Sequence, residues 1–448
     1  MIDPVELARR LIRLDTVNPP GHEAPAIELI AAVLRDAGVE PLVVQRQEGR
    51  PNLIARIPGR GDGDGLLLQG HVDVVPVSGQ RWSRDPFGGE IVDGWLWGRG
   101  AIDMKGGVAM MVDAFSRLAI SGRRPGGDVV LCVVSDEETG GAMGARFLVE
   151  DHADRFEGLR YGIGEFGGFP LMVGGTRFYP IQVAERARVT FHLTFRGPAG
   201  HGSLPAAGGA MARLGRALTR LDRGRLPIHH VPTTRLMLET MIEHTEGTTR
   251  RALRSLLDPR TAALAARMAG SRLAVLEPVL RNTVNATIVR GGESYNVVPG
   301  EVRLTLDGRL LPGLDPEEMA AEVRHLVGGD VDIDYDAEGP SQGVEPDMGL
   351  FPVLADLVRE MDPDGIPLPF VLPAVTDGRW FARLGIRHYG FLPMRLPDDF
   401  VFQQTVHAAD ERVPVEAIRQ GADAIFRLID RSGGSARPSP SAGEDSTT

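Results

Sequence analysis

Six apolar residues in a row, Val129-Val-Leu-Cys-Val-Val134, run directly into Ser-Asp136-Glu137-Glu138-Thr-Gly-Gly141. An unbroken apolar run of strand length predicts a strand covered on both faces, as in a parallel or mixed sheet layered between helices. Three acids at the end of such a strand repel one another and are costly near a core unless cations or protons neutralise them. In open α/β sheets, functional residues gather beyond the carboxyl ends of the strands. The run therefore predicts both an architecture and the place in it where chemistry belongs. The bland alternative is a helix start whose dipole favours acids.

The rest of the chain extends this pattern. Helical periodicity at 4–17 and 25–37 alternates with short apolar segments at 41–44, 53–57 and 66–69, which predicts an α/β class. Between about 185 and 311 the texture changes to period-two strands (Val189, Phe191, Leu193, Phe195; Val302, Leu304, Leu306) flanking helical stretches near 207–222 and 260–270. That is the pattern of an α+β insert whose sheet has one solvated face. After Pro312-Gly313, helices at 315–327, 348–360 and 414–430 alternate with strands at 329–335 and 388–392. A chain of 448 residues exceeds what one core organises. The expectation is a discontinuous, mixed-sheet α/β domain at 1–184 and 312–431, an inserted domain at 185–311, and a disordered tail at 432–448 (SGGSARPSPSAGEDSTT), which has nothing to build a core from.

Composition narrows the classes of function. No run approaches the ~18 apolar residues of a membrane span, and the first thirty residues lack the apolar block of a signal peptide, which predicts a cytoplasmic protein. A net charge of −11 disfavours nucleic acid or an anionic membrane as partner. The single cysteine, Cys132, rules out an intramolecular disulfide and is expected to be buried.

Polar residues collect at the predicted strand ends. In Leu66-Leu-Leu-Gln-Gly-His71-Val-Asp73, the i, i+2 spacing puts both side chains on one side of an extended segment, so Asp73 can orient His71 for metal binding; a polar strand-end loop is the alternative. Trp97-Gly-Arg-Gly-Ala-Ile-Asp103-Met-Lys-Gly-Gly107 opens a helical pattern, where Asp103 fits an N-cap as well as a carboxylate between two cations. Neighbouring residues on a turn face different ways, so Glu138 can bind a metal while Glu137 acts on its water. Glu165, in Tyr-Gly-Ile-Gly-Glu-Phe-Gly-Gly, and His407, in Val-His-Ala-Ala-Asp-Glu, are each unremarkable alone.

The order of these motifs, with Arg-Gly-Pro-Ala-Gly-His201-Gly-Ser between them, resembles the metallopeptidase family that includes aminoacylase, glutamate carboxypeptidase, acetylornithine deacetylase and succinyl-diaminopimelate desuccinylase, over residues 3 to 430. The resemblance implies that Asp103 bridges two divalent ions, with His71 and Glu165 completing one site and Glu138 and His407 the other. It implies zinc by default, with cobalt or manganese also suited. It makes Glu137 the general base for a bridging water, with Asp73 behind His71. His201 would stabilise the oxyanion from the insert, and Arg309 and Asn296 would grip a substrate carboxylate. The implied reaction is deacylase or carboxypeptidase-type hydrolysis of an N-acyl amino acid or dipeptide with a free α-carboxylate, the insert serving as lid and, in dimeric members, as dimerisation domain. Asn282 and Asn285 are further candidates to line the site, and Asp377 is expected to cap a helix.

This chain departs from the family pattern at Phe166, where the family has glycine, and at Ala408 after His407; both alter the wall beside the ligands. Two rival readings remain. A catalytically silent homologue is disfavoured by the complete set of acids and histidines. A nucleotide-binding protein is disfavoured because no Gly-x4-Gly-Lys-Ser/Thr motif occurs.

Overall fold

The computed structural model describes residues 2–205, 207–269, 276–329, 331–337 and 345–432, so the tail expected to be disordered lies, from 433 on, outside the described residues. The chain divides into two compact units, Met1–Pro170 with Gly349–Asp364 and Trp380–Thr448, and Leu171–Met348 with Gly365–Arg379.

In the first unit, six strands lie side by side in the order Leu42–Gln45, Pro51–Ile57, Val129–Val134, Gly65–His71, Leu159–Gly164, Arg387–Gly390. The first two pairings are antiparallel and the remaining three parallel, which makes the sheet mixed. Val129–Val134 is buried throughout, Cys132 included, as its unbroken apolar run demands. On one face Leu67, Val130, Cys132 and Val134 pack with Phe147, Leu148 and Phe381. Helix Lys105–Ser121 is buried along most of its length and packs on helices Pro4–Ile12 and Val415–Ser432.

Helix Pro4–Ile12 starts where Asp3 accepts the Val5 and Glu6 amide hydrogens, with proline at the first helical position. It stops at Ile12, short of the expected residue 17. Leu14 and Asp15 begin a non-helical approach to Asn18-Pro19, and a residue before proline is pushed out of the helical region.

The second unit holds an antiparallel sheet ordered Thr283–Arg290, Glu301–Leu310, Ala187–Arg196, Asp332–Ala337. Its alternation is literal: Val189, Phe191, Leu193 and Phe195 point into a core with Val302, Leu304 and Leu306, closed by helices Ala210–Arg223 and Pro316–Val327. Elements beyond residue 311 thus belong to this unit, because strand 332–337 pairs along Ala187–Arg196 and Met319 and Val323 fill the same core. A parallel pair, Thr176–Glu185 with Ile366–Leu372, and helices Pro232–Glu243 and Gly247–Leu257 complete it.

Candidate active site

Three neighbouring parallel strands of the first unit end at one place. His71 closes the middle strand; Asp136, Glu137 and Glu138 follow the strand on one side and Glu165 the strand on the other. Asp103 stands just before helix Lys105–Ser121, and His407 follows the short helix Phe402–Thr405. Several of these turns use left-handed backbone at residues that are not glycine, Asp136 at φ 72° and His407 at φ 60°, a conformation that costs about 1–2 kcal/mol and must be held by its surroundings. Asp136 is held by its own carboxylate, which accepts hydrogen bonds from Arg50 (2.9 Å), Asn18 (3.2 Å), the Thr139 hydroxyl (2.5 Å) and the Met143 amide (2.9 Å).

Asp103 occupies the centre. Its Oδ1 lies 3.2 Å from His71 Nε2 and its Oδ2 lies 3.0 Å from His407 Nε2. Glu165 Oε2 is 3.3 Å from His71 Nε2, and Glu138 Oε2 is 3.3 Å from His407 Nε2. Ligand-type atoms of His71, Asp103 and Glu138 all lie within 4.8 Å of one another, as do those of His71, Glu137 and Glu165. Asp103 is not the helix cap: the residue at the cap position is Met104, and no side chain caps this helix. The two histidines differ in access, the His71 side chain being 1% exposed and that of His407 49%.

Asp73 lies beneath this set. It approaches His71 Nδ1, whose nearest contact is the Asp73 carbonyl at 3.0 Å with the carboxylate at 3.5 Å. The same carboxylate accepts the amide hydrogens of Glu137 and Glu138, each at 3.1 Å, and the Asn18 amide at 2.8 Å. One buried acid therefore sets both the ring of His71 and the backbone of the acidic turn.

The charges are strongly coupled. Burial opposes protonation of His71, yet hydrogen bonds that its ring can donate to the Asp103, Asp73 and Glu165 carboxylates push it well above an ordinary imidazole. The Asp103 and Glu138 carboxylates raise His407 to about 10. Burial and the neighbouring charge of Asp103 raise Glu138 to about 7. Burial raises Glu165 as well, against the pull of His71. A cation placed among these groups would neutralise the same acids. Glu138 Oε1 is buried without a hydrogen-bond partner, which suits a metal ligand and is costly for an ordinary carboxylate. Imidazole nitrogens with carboxylate oxygens form the donor set that zinc, cobalt or manganese takes.

Some supporting residues have partners that the sequence does not reveal. Glu411 is fully buried, accepts the amide hydrogens of Ile102 (2.8 Å) and Asp103 (3.1 Å), and pairs with buried Arg99 at 2.5 Å. Its partners are backbone groups three hundred residues away, which no spacing reveals. Asn18 is similar, a loop residue that bridges Asp73 and Asp136.

The remaining predicted residues lie in the second unit. His201 and Asn296 belong to neighbouring segments, since Gly200–His201 pairs with Val297–Val298 and the Asn296 carbonyl accepts the Gly202 amide at 2.7 Å. Ser203 binds His201 Nδ1 at 2.7 Å, and Asn296 accepts from the Ser294 hydroxyl at 2.5 Å. Arg309, on Glu301–Leu310, is engaged by both oxygens of Asp307 at 3.0 and 3.1 Å. Asn282 is structural: its Oδ1 accepts the Leu311 amide and its amide donates to Glu322. Asp377 directly precedes the short helix Gly378–Phe381, but the Gly378 amide is taken by the Thr376 hydroxyl.

Comparison with known proteins identifies the family. The model of peptidase family M20/M25/M40 matches residues 67–431. A succinyl-diaminopimelate desuccinylase of Cereibacter sphaeroides is 30% identical over 96% of this chain and 98% of its own length. A second, from another strain, is 39% identical over 50% of this chain and 58% of its own. Among solved structures, an M20 family metallo-carboxypeptidase from Sulfolobus solfataricus superposes with a TM-score of 0.70, covering 97% of this chain and all of that one at 16% identity, a likeness of fold.

Proposed function

Because the chain belongs to peptidase family M20/M25/M40, a metal-dependent hydrolase of amide bonds, we propose that it cleaves the amide of an N-acyl amino acid or dipeptide with a free α-carboxylate. The observation that carries this reading is the division of the Asp103 carboxylate, one oxygen to each histidine, with a further glutamate beside each ring. Asp103 with His71 and Glu165 would hold one divalent ion, and Asp103 with Glu138 and His407 the other; zinc is the ion proposed. Bound there, two such ions supply a polarised carbonyl and a water acidic enough to deprotonate near neutral pH.

The protein's own groups do the rest. Glu137 is the proton carrier: with Asp73 fixing its amide, its carboxyl stays beside His71 and Glu165, where it takes a proton from water and returns it to the leaving amine. Asp73 keeps His71 oriented with Nε2 toward the centre. His201 steadies the oxyanion, and Arg309 and Asn296 hold the carboxylate, for which Arg309 must exchange its Asp307 partner. The second unit, Leu171–Met348 with Gly365–Arg379, serves as lid and dimerisation domain to the catalytic unit; the enzyme works in the cytoplasm. No helix among the described residues is long and apolar enough to cross a membrane.

Replacement of Glu137 by Ala tests the mechanism. Turnover should fall by about 10²–10⁴-fold with two ions still bound, as counted by elemental analysis. Undiminished turnover would sink it. For Arg309→Ala the expectation is a KM raised by about 10-fold or more with a smaller change in kcat, because a buried charge-assisted pair contributes about 1.5–3 kcal/mol.

A further inference from the structure

His407 poses a mechanical problem. Its side chain is half exposed and its backbone is left-handed, so neither packing nor intrinsic preference holds it in place. What does hold it comes from elsewhere in the chain. The Gln80 amide donates to the His407 carbonyl at 2.8 Å. Gln80 Oε1 accepts from Arg99 Nη2 at 2.9 Å and from the Trp82 indole at 3.1 Å. Arg99, buried and stacked over Trp82 at 5.2 Å, pairs through Nη1 with Glu411, whose other oxygen accepts the Asp103 amide hydrogen.

These contacts form a closed ring. On one side His407 Nε2 meets the Asp103 carboxylate at 3.0 Å. On the other, a relay of Gln80, Arg99 and Glu411 joins the His407 carbonyl to the Asp103 amide. The two residues proposed to share one ion are thus tied twice, once through side chains and once through backbone. His71 has no need of such a device, because its strand and complete burial already fix it.

We propose that Gln80 is a positioning residue for the His407 half of the centre, setting the affinity of the ion held by Asp103, Glu138 and His407 and not that of its neighbour. It acts through the backbone of His407 and touches neither ion nor substrate. The proposal rests on the two-ion reading above, and its test separates the two.

The metal-free full-length chain is titrated with zinc in a calorimeter, as wild type, Gln80→Leu and Gln80→Glu. Leucine removes every bond of the side chain. Glutamate keeps an acceptor for Arg99 and loses the donor to His407. The wild type is expected to take up two ions in distinguishable steps. Both variants should weaken one step by about 10–100-fold, the usual effect of a group that orients a ligand, and leave the other unchanged. Equal weakening of both steps with a lowered Tm is what a merely structural role gives, and it overturns the proposal. So does a Gln80→Glu chain that titrates like wild type. A wild-type chain that binds fewer than two ions removes the two-ion reading and this inference with it.

Discussion

Asp73 shows how much one side chain can determine. Both of its oxygens accept from the turn that carries Glu137 and Glu138, and its backbone carbonyl orients His71. Asp73→Asn would turn an amide group toward one of those two backbone N–H donors, donor against donor, in a fully buried position. The expected cost is about 1–3 kcal/mol of stability and about 10–100-fold in metal affinity, measured by denaturant unfolding and zinc titration. Residues of this kind were half legible. His71, Glu137, Glu138 and Glu165 stand at strand ends near glycines, where a charge needs a reason, and Asp103 and His407 lie next to helices; an ordered set of short motifs could find all six. Asp136 and Glu411 are just as buried and just as charged, but Asp136 is satisfied in part, and Glu411 throughout, by partners far along the chain, and no local pattern encodes that. Phe166 was legible as a departure. It sits at φ 67° with its ring edge-on to Phe169 and Phe402, an aromatic group joining the chain after Glu165 to the chain before His407.

At the scale of elements, the acidic turn is pinned by a contact with no slack. A Cβ on Gly144 would lie 1.8 Å from the Ser135 carbonyl oxygen, which is backbone and cannot rotate away. Gly144→Ala should therefore cost about 1–3 kcal/mol and displace Glu137 and Glu138 together, lowering both Tm and kcat. Strand Arg387–Gly390 carries a second constraint. Burial of His388, whose ring nitrogens have no hydrogen-bond partner, pushes its pKa down from 6.5 to about 4. Between those values the unfolded chain binds the proton and the folded one does not. The contribution to stability is full above pH 6.5 and falls as pH drops, and roughly 3 kcal/mol is gone by pH 4. A His388→Met chain should lose less Tm than wild type between pH 7 and pH 4.5; parallel losses would contradict this. Strand Val129–Val134 was read from sequence to the residue because a continuous apolar run has few alternatives. Ile366–Leu372 was missed because Pro367 and Pro369 disguise it; a strand at the end of the pairing order, with a neighbour on one side only, tolerates prolines that an interior strand does not.

Across the molecule, the acids of the centre make stability depend on what is bound. Asp103, Glu137, Glu138 and Glu165 converge with only two imidazoles to offset them. An ion present at about 100 times its Kd contributes about 2.7 kcal/mol to the folded state. Chelation should lower Tm by several degrees and abolish hydrolysis, and added zinc should restore both. An unchanged Tm would mean that protons neutralise the acids as well as metal does. The division into two kinds of sheet was legible from the switch between continuous and alternating apolar patterns. The extent of the second unit was less so, since helix Pro316–Val327 and strand Asp332–Ala337 have the same periodicities as elements of the first and are assigned by what they pack on.

The last feature concerns time. Asp103 and His407 are separated by 304 positions, and Glu411 comes later still. During synthesis the chain therefore acquires His71, Asp103 and Glu165 long before His407, the partner of Glu138. A growing chain at that stage has all three donors proposed for one ion and two of the three proposed for the other. Helix Val415–Ser432, which packs on Lys105–Ser121, follows later still. Competence for hydrolysis is in this sense withheld from any chain that stops before His407 and the helix that follows it.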